Sequence, residues 1–255
     1  MKKLFLTITI FSVFITSNDF YPQANQKLTF PVPKLNVDIG TAQSGEDVAI
    51  TLQILLLMTI LALAPSIIIM TTCYLRIILV FHFLKSALGT QQMPPGQLLA
   101  GIALFITFFV MAPTWNQVNQ QALKPLMDKS ITVEEAYYKG IEPIRNFMFK
   151  HVRNEDLELF ISLANIERPN SRNDLPTYIV VPAFALSELR TGFIIGFFLF
   201  IPFLMVDLII SSILMSMGMM MLPPMLVSLP FKILLFILVD GWNLIVGSVV
   251  RSIVQ

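Results

Sequence analysis

Hydrophobic positions along this chain fall in long unbroken runs rather than in the one-sided stripes of a soluble helix. Val48 to Met70 carries no charge. At ~1.5 Å of rise per residue such a run crosses a hydrocarbon layer of ~30 Å, which predicts a first membrane helix. Pro65 lies inside it and removes one backbone donor. The apolar pattern resumes from Cys73 to Leu88, so the expectation at Pro65 is a bend rather than a stop. Gly89 to Gly96, which holds Pro94 and Pro95, reads as a turn, and Leu98 to Met111 as a second apolar helix that ends at Pro113. These pieces predict a hairpin.

Polar positions then take over from Thr114 to Asp174, where acidic and basic residues mix as they do on water-exposed helices. Thr132 followed three residues later by Glu135 fits a capping box opening a helix from Val133 to about Lys150, and Asn154 is placed to cap another from Glu155 to Ile166. Apolar runs return in Thr191 to Val206, Leu208 to Met221 and Leu226 to Val250, with Pro223 and Pro224 marking a second hairpin turn. No repeat of fixed period is present, although each half sets apolar helices around a prolyl turn.

The chain opens on Met1, Lys2 and Lys3 followed by the apolar stretch Leu4 to Ile15, the layout of a secretory signal. The expected organisation is therefore a signal peptide over 1–17, an extracytoplasmic arm over 18–47 and a first hydrophobic hairpin over 48–112. A polar helical periplasmic segment over 113–185 and a second hairpin with a methionine-rich turn over 186–255 complete it. The fold class is all-α, a polytopic membrane protein with about four hydrophobic helices. Arg76 and Lys85, the only basic residues on the first hairpin, favour a cytoplasmic position for its turn, which leaves the polar segment outside.

Composition agrees with lipid as the solvent: 55% of residues are hydrophobic and 13% charged, against about 25% charged in a soluble domain. A net charge of +1 provides no field for nucleic acid. The single cysteine, Cys73, lies in an apolar tract and reads as a small hydrophobe. His82 and His151 stand far apart, with no Cys or Glu at metal-ligand spacing. His82 is expected within a helix contact and His151 on the polar surface. No nucleophile, base and orienting partner recur at a recognisable spacing, so no catalytic residue, metal or cofactor is assigned.

Two charges interrupt the second hairpin. Asp207 and Lys232 each sit in an otherwise uncharged tract, where a lone charge costs ~2.5 to 3.5 kcal/mol on insertion scales, and mutual pairing within or between subunits is the expected relief. Asp240 and Arg251 lie further along, nearer the expected interface, where snorkelling suffices. Gly192 and Gly196 have the small-xxx-small spacing that lets helices approach closely, as do Gly96 and Ala100. Most unusual is the stretch Met215 to Met225, which concentrates flexible thioethers beside a prolyl turn. Methionine adapts its shape without adding charge, so a ring of such turns closes a wide pore against water and deforms around a passing chain; filling an irregular helix interface is the plainer role.

The segments Arg76 to Phe81, Ala87 to Thr90, Pro94-Pro95, Ala103 to Phe109, Phe184 to Arg190, Ile194 to Phe198, Val206-Asp207, Leu229 to Lys232 and Val239 to Trp242, with the methionine turn, resemble the FliP family of flagellar type III export-gate proteins. The likeness runs from the first membrane helix to the end of the sequence. It implies a core subunit that forms, with FliQ, FliR and further FliP copies in a ring, the channel through which unfolded flagellar proteins leave the cytoplasm. FlhA, FlhB and the basal-body ring are the implied neighbours in the bacterial inner membrane. Carried onto this chain, the family's pore gasket falls on Met219, Met220 and Met221 and its paired charges on Asp207 and Lys232. A virulence secretion subunit of the same family is an alternative. From a different class, so is an ion-coupled transporter using Asp207 and Lys232 at midplane.

Overall fold

The computed structural model describes residues 45–90, 93–166, 171–219 and 221–254. The expected signal peptide and most of the expected N-terminal arm lie outside the described residues. Every regular element among the described residues is helical. Helix α1 spans Gly45–Thr71, α2 Tyr74–Leu88 and α3 Gly96–Val118; a π-helical turn, Asn119–Leu123, joins α3 to the short α4, Lys124–Met127. The polar segment supplies α5, Val133–His151, and α6, Asn154–Ala164. Helix α7 runs from Thr177 to Ser216, α8 is Pro224–Leu238 and α9 Gly241–Val254.

Several prolines fall where the chain continues rather than stops. Helix α1 passes through Pro65 and breaks only at Thr72 and Cys73. There Thr71 and Thr72 turn their hydroxyls back onto the carbonyls of Ile67 and Ile68, each at 2.8 Å, competing with the backbone ladder. The helix thus continues through Pro65, as expected, and is interrupted at the threonine pair instead. Helix α3 likewise runs through Pro113. Proline already has helical φ and forfeits a single bond, and the buried side chains of Val110, Met111 and Thr114 hold both sides of it in place.

Helix α7 is a single rod of 40 residues, about 60 Å long at the usual rise, roughly twice the hydrocarbon thickness. The sequence suggested two helices parted near Asp207; the rod is continuous, and that charge is met by a partner from α8. Its two halves serve different cores. Ile179, Val180, Ala183 and Phe184 close over Met148, Phe149, Val152 and Leu157 of the polar segment. Further along, Phe203 joins Cys73 just before α2, Ile77, Phe81, Leu84, Leu99, Ala103 and Met111 of α2 and α3, with Phe236 of α8 and Ile245, Val249 and Ile253 of α9.

Helix α2 is therefore the spine, lined along its length by buried Arg76, Ile77, Val80, Phe81, Leu84, Ala87 and Leu88. Thr132 caps α5 through the expected box, its hydroxyl accepting from the Glu135 N–H at 3.2 Å while Glu135 accepts from the Thr132 N–H at 3.2 Å. Asn154 begins α6, but Arg153 holds the cap position. Instead of capping, the Asn154 amide oxygen accepts from Arg172.

Three helical stretches among the described residues are long and apolar enough to cross a membrane: Thr51–Thr71, Gly96–Met127 and Thr177–Ser216. The pair α8 and α9, bent by 64°, makes a fourth if taken as one span. The chain is a polytopic helical membrane protein. Its apolar surface is left largely uncovered: Leu52, Leu55, Leu56 and Leu61 on α1, Phe105 and Phe109 on α3, and Phe197 and Phe198 on α7 all face outward. Lipid or other subunits must cover them.

Candidate functional site: two ion pairs and a methionine turn

Asp207 and Lys232 meet. The Lys232 Nζ donates to Asp207 Oδ2 at 2.6 Å and to the carbonyl oxygen of Ala87 at 3.0 Å, while the Ser228 hydroxyl donates to Asp207 Oδ1 at 2.6 Å. Lys232 is buried, and the Asp207 carboxylate is about one-quarter exposed, 24%. Ser228 and Lys232 stand one helical turn apart on α8, so both reach the same carboxylate on α7. The pair therefore staples α7 to α8 just below the turn that joins them, and the bond to Ala87 brings in the end of α2.

A second pair was not foreseen from the sequence. Arg76 in the first turn of α2 grips Glu188 of α7 in a two-pronged contact, Nε to Oε2 at 2.8 Å and Nη2 to Oε1 at 2.5 Å, with both side chains essentially inaccessible. Its remaining arm, Nη1, donates to the carbonyl oxygen of Ser252 on α9 at 2.7 Å and touches the Ser252 hydroxyl at 3.1 Å. Arg76 stands at the end of α2 remote from the Gly89 turn, and its charge is spent on Glu188. Of the two basic residues used to orient the first hairpin, only Lys85 stays near its turn. Next to Glu188, Ser187 donates to Asp156 Oδ2 at 2.6 Å and accepts from the Arg153 N–H at 3.1 Å, tying α6 to α7.

The two pairs bracket α2. Arg76 and Ala87 are eleven residues apart on one helix, about 16 Å. Each pair puts one charge on α7: Arg76 joins α2 to it directly, and Lys232 of α8 links Asp207 to the Ala87 carbonyl at the other end of α2. Between the two pairs lie Gly192 and Gly196. A methyl group on Gly192 would come within 2.8 Å of Leu79 Cδ2, and one on Gly196 within 2.2 Å of Phe83 Cδ2. These glycines give α2 and α7 their close approach. Gly96, by contrast, has open space where a side chain would be.

The methionine turn stands clear of this framework. Helix α7 ends on Gly218 at φ +75°, whose N–H donates to the Met215 carbonyl at 3.0 Å, while the Met219 N–H reaches back to Leu214 at 3.0 Å, a left-handed helix stop that favours glycine. Met219 is 41% exposed and Met221 98% exposed; Met220 lies outside the described residues. Met215, Met217 and Met225 also face outward. Within one chain the thioethers of Met219 and Met221 thus fill no core.

Remaining candidates fall as follows. Cys73 is completely buried, in the main core. His82 is exposed rather than within a helix contact. His151 is half-buried, not on the open polar surface, and lies between two carbonyl oxygens, those of Phe147 and Ile253. Arg251 is exposed, and Asp240 adopts φ 49° where α8 turns into α9.

Sequence comparison gives this arrangement its context. The FliP family profile matches residues 57–249. The flagellar biosynthetic protein FliP of Bacillus subtilis is 54% identical over 216 residues, 85% of this chain and 98% of that protein. The protein of the same name from Borreliella burgdorferi is 43% identical over 260 residues, 99% of each chain. That of Aquifex aeolicus is 44% identical over 224 residues, 87% of this chain and 92% of its own.

Proposed function

The chain belongs to the FliP family, and from that premise we propose that it is a core subunit of the flagellar protein export gate, forming with FliQ, FliR and further copies of itself the channel that passes unfolded flagellar subunits out of the cytoplasm. The observation that carries this reading is the exposed methionine turn, Met215 to Met225, mounted on two helices that an ion pair holds together. A flexible apolar loop on a rigid stem is useless to a monomer. Repeated around an axis, it becomes a soft ring that narrows to exclude water and yields to a polypeptide. The outward phenylalanines of α3 and α7 and the bare α1 supply apolar surface of the kind that neighbouring subunits cover.

In this reading the subunit sits in the inner membrane within the flagellar basal body, with the segment around α5 and α6 on the periplasmic side and FlhA and FlhB alongside. A flagellar rather than virulence role is favoured by the relatives, which carry flagellar names in Bacillus, Borreliella and Aquifex alike. An ion-coupled transporter is disfavoured by the geometry of Asp207 and Lys232, the residues it would use. Lys232 is buried, bonded to both Asp207 and Ala87, and Asp207 is bonded in turn by Ser228, an arrangement suited to holding helices rather than to cycling a proton.

The test is the mass and image symmetry of the detergent-purified particle after co-expression with FliQ and FliR. A ring containing several copies of this chain is expected. A functional monomer or dimer that needs no partners would overturn the export-gate reading.

A further inference from the structure

The last turn of α9 presents three consecutive carbonyl oxygens, and each meets a side chain from elsewhere. Arg76 Nη1 donates to Ser252 at 2.7 Å, His151 Nε2 lies 2.8 Å from the oxygen of Ile253, and Lys150 Nζ donates to Val254 at 3.2 Å. Helix ends leave such oxygens unsatisfied and carry partial negative charge, so cationic donors are the natural complement. Two of the three come from the last turn of α5, in the polar segment, and the third from α2, where Glu188 already fixes its orientation. The His151 ring is held further by Phe147, with ring centres 4.6 Å apart, and its Nδ1 and Nε2 lie 2.8 Å from the carbonyl oxygens of Phe147 and Ile253 respectively.

The other end of α9 is equally constrained. Gly241 follows Asp240 at the bend, and its Cα is overlain so closely by the Phe236 ring of α8 that a methyl group there would fall 2.2 Å from Phe236 Cε2. Trp242 packs edge-on against Phe81 of α2 and Phe236 of α8, at 6.2 and 5.6 Å. Ile245, Val249 and Ile253 run along the buried face between these two fastenings. Helix α9 is thus a strut: one end is clasped by the polar segment and the other is wedged against α8, the helix that leads directly from the methionine turn.

We propose that the grip of Lys150, His151 and Arg76 on the last turn of α9 is a mechanical latch, through which the polar segment sets the tilt of α8 and hence the position of the methionine turn. Lys150 and His151 act in it as positioning residues, remote from the turn they control. Opening the latch frees α9 to pivot about Asp240, leaving α8 held by Lys232 and Ser228 on Asp207 and by Phe236 against Phe203. The latch rests on contacts within one chain and does not depend on the export-gate reading.

Backbone hydrogen exchange of the detergent-purified full chain tests it without reference to export. Lys150→Met with His151→Phe removes both donors and keeps apolar packing against Phe147. Exchange across residues 241–254 is expected to speed up by about tenfold or more, the factor that corresponds to ~1.4 kcal/mol, and the increase should spread into residues 224–238 while residues 74–88 keep their protection. Lys150→Arg, which preserves the donor, should leave all three regions as in the parent. Should the double variant not accumulate, His151→Gln alone is expected to raise exchange in the same two regions to a lesser degree. Unchanged exchange in α9, or an increase confined to its final turn, would overturn the latch.

Discussion

Arg76 and Glu188, 112 residues apart in sequence, share two hydrogen bonds in the interior where α2, α7 and α9 converge. Arginine does not shed its proton in a protein, so the carboxylate is the only means of neutralising it there. Replacing either residue by alanine leaves the other buried without its ion-pair partner, a loss of about 3–5 kcal/mol. Two apolar residues of similar volume, Arg76→Met with Glu188→Leu, should cost much less than the two alanines summed. Detergent thermal melts of the parent, Arg76→Met, Glu188→Leu and the variant carrying both form the double-mutant cycle. Additive effects of the single changes would show that the pair is not coupled.

For Asp207 and Lys232 the expectation is asymmetric. Lys232 is buried on all sides, whereas Asp207 is partly exposed and keeps its bond from Ser228. Asp207→Ala strands an ammonium with only the Ala87 carbonyl for company; Lys232→Ala leaves a carboxylate that water can reach. The first should therefore be the more damaging, near the upper part of the ~3–5 kcal/mol range for a broken buried pair, and the second clearly milder. Yield of assembled particle and melting temperature read both. Equal losses, or wild-type behaviour in both variants, would remove the pair as an assembly staple.

Why one pair was legible in the sequence and the other was not has a physical cause. Asp207 and Lys232 announce themselves because each is the lone charge in a run otherwise free of charge, on helices joined by a visible turn. Glu188 sits among Ser187 and Arg190, beside the polar segment, where a carboxylate looks unremarkable. Only tertiary packing carries it to Arg76. The helical class and the capping box at Thr132 were equally readable, since both rest on local pattern. Helix ends were read less well where proline marks the expected stop: Pro113, the expected end of a helix, lies inside a continuing one, as do Pro65, where continuation was expected, and Pro202. A single lost backbone bond is cheaper than exposing backbone groups in an apolar setting, so the rod persists. The signal in His151 was absent for another reason, because its partner is a backbone oxygen of Ile253, and main-chain acceptors leave no trace in residue type.

The glycines of α7 separate close packing from mere spacing. Gly196→Ala would place its methyl 2.2, 2.5 and 2.9 Å from Cδ2, Cγ and Cβ of Phe83, the root of a ring that Phe193 holds edge-on at 5.4 Å. Overpacking of this kind costs about 1–3 kcal/mol. Gly192→Ala meets the tip of Leu79, which can rotate away more easily, so its loss should be smaller. Gly96→Ala meets nothing within 4 Å and should be neutral. Melting temperatures ranked 196 below 192 below 96 are expected; any other order would show that α2 and α7 do not meet as described.

The methionine turn makes the sharpest functional demand, because its side chains can be changed without touching the fold. Met219 and Met221 face outward, and Gly218, which shapes the turn, is left in place. Replacing Met219, Met220 and Met221 together by alanine should therefore preserve the helices, the Asp207–Lys232 staple and the assembled particle. If these thioethers close the export channel, the shorter side chains leave the constriction open to water, and ion conductance of the reconstituted particle should rise well above the parent's. Leucine in the same three positions restores volume but not the flexibility of an unbranched thioether, so it should seal the resting pore while slowing passage of a polypeptide. Single-channel recording on particles of confirmed composition, together with export measured in motile cells, reads the two effects separately. Parental conductance in the alanine variant, within a ring shown to be intact, would exclude the turn as the seal.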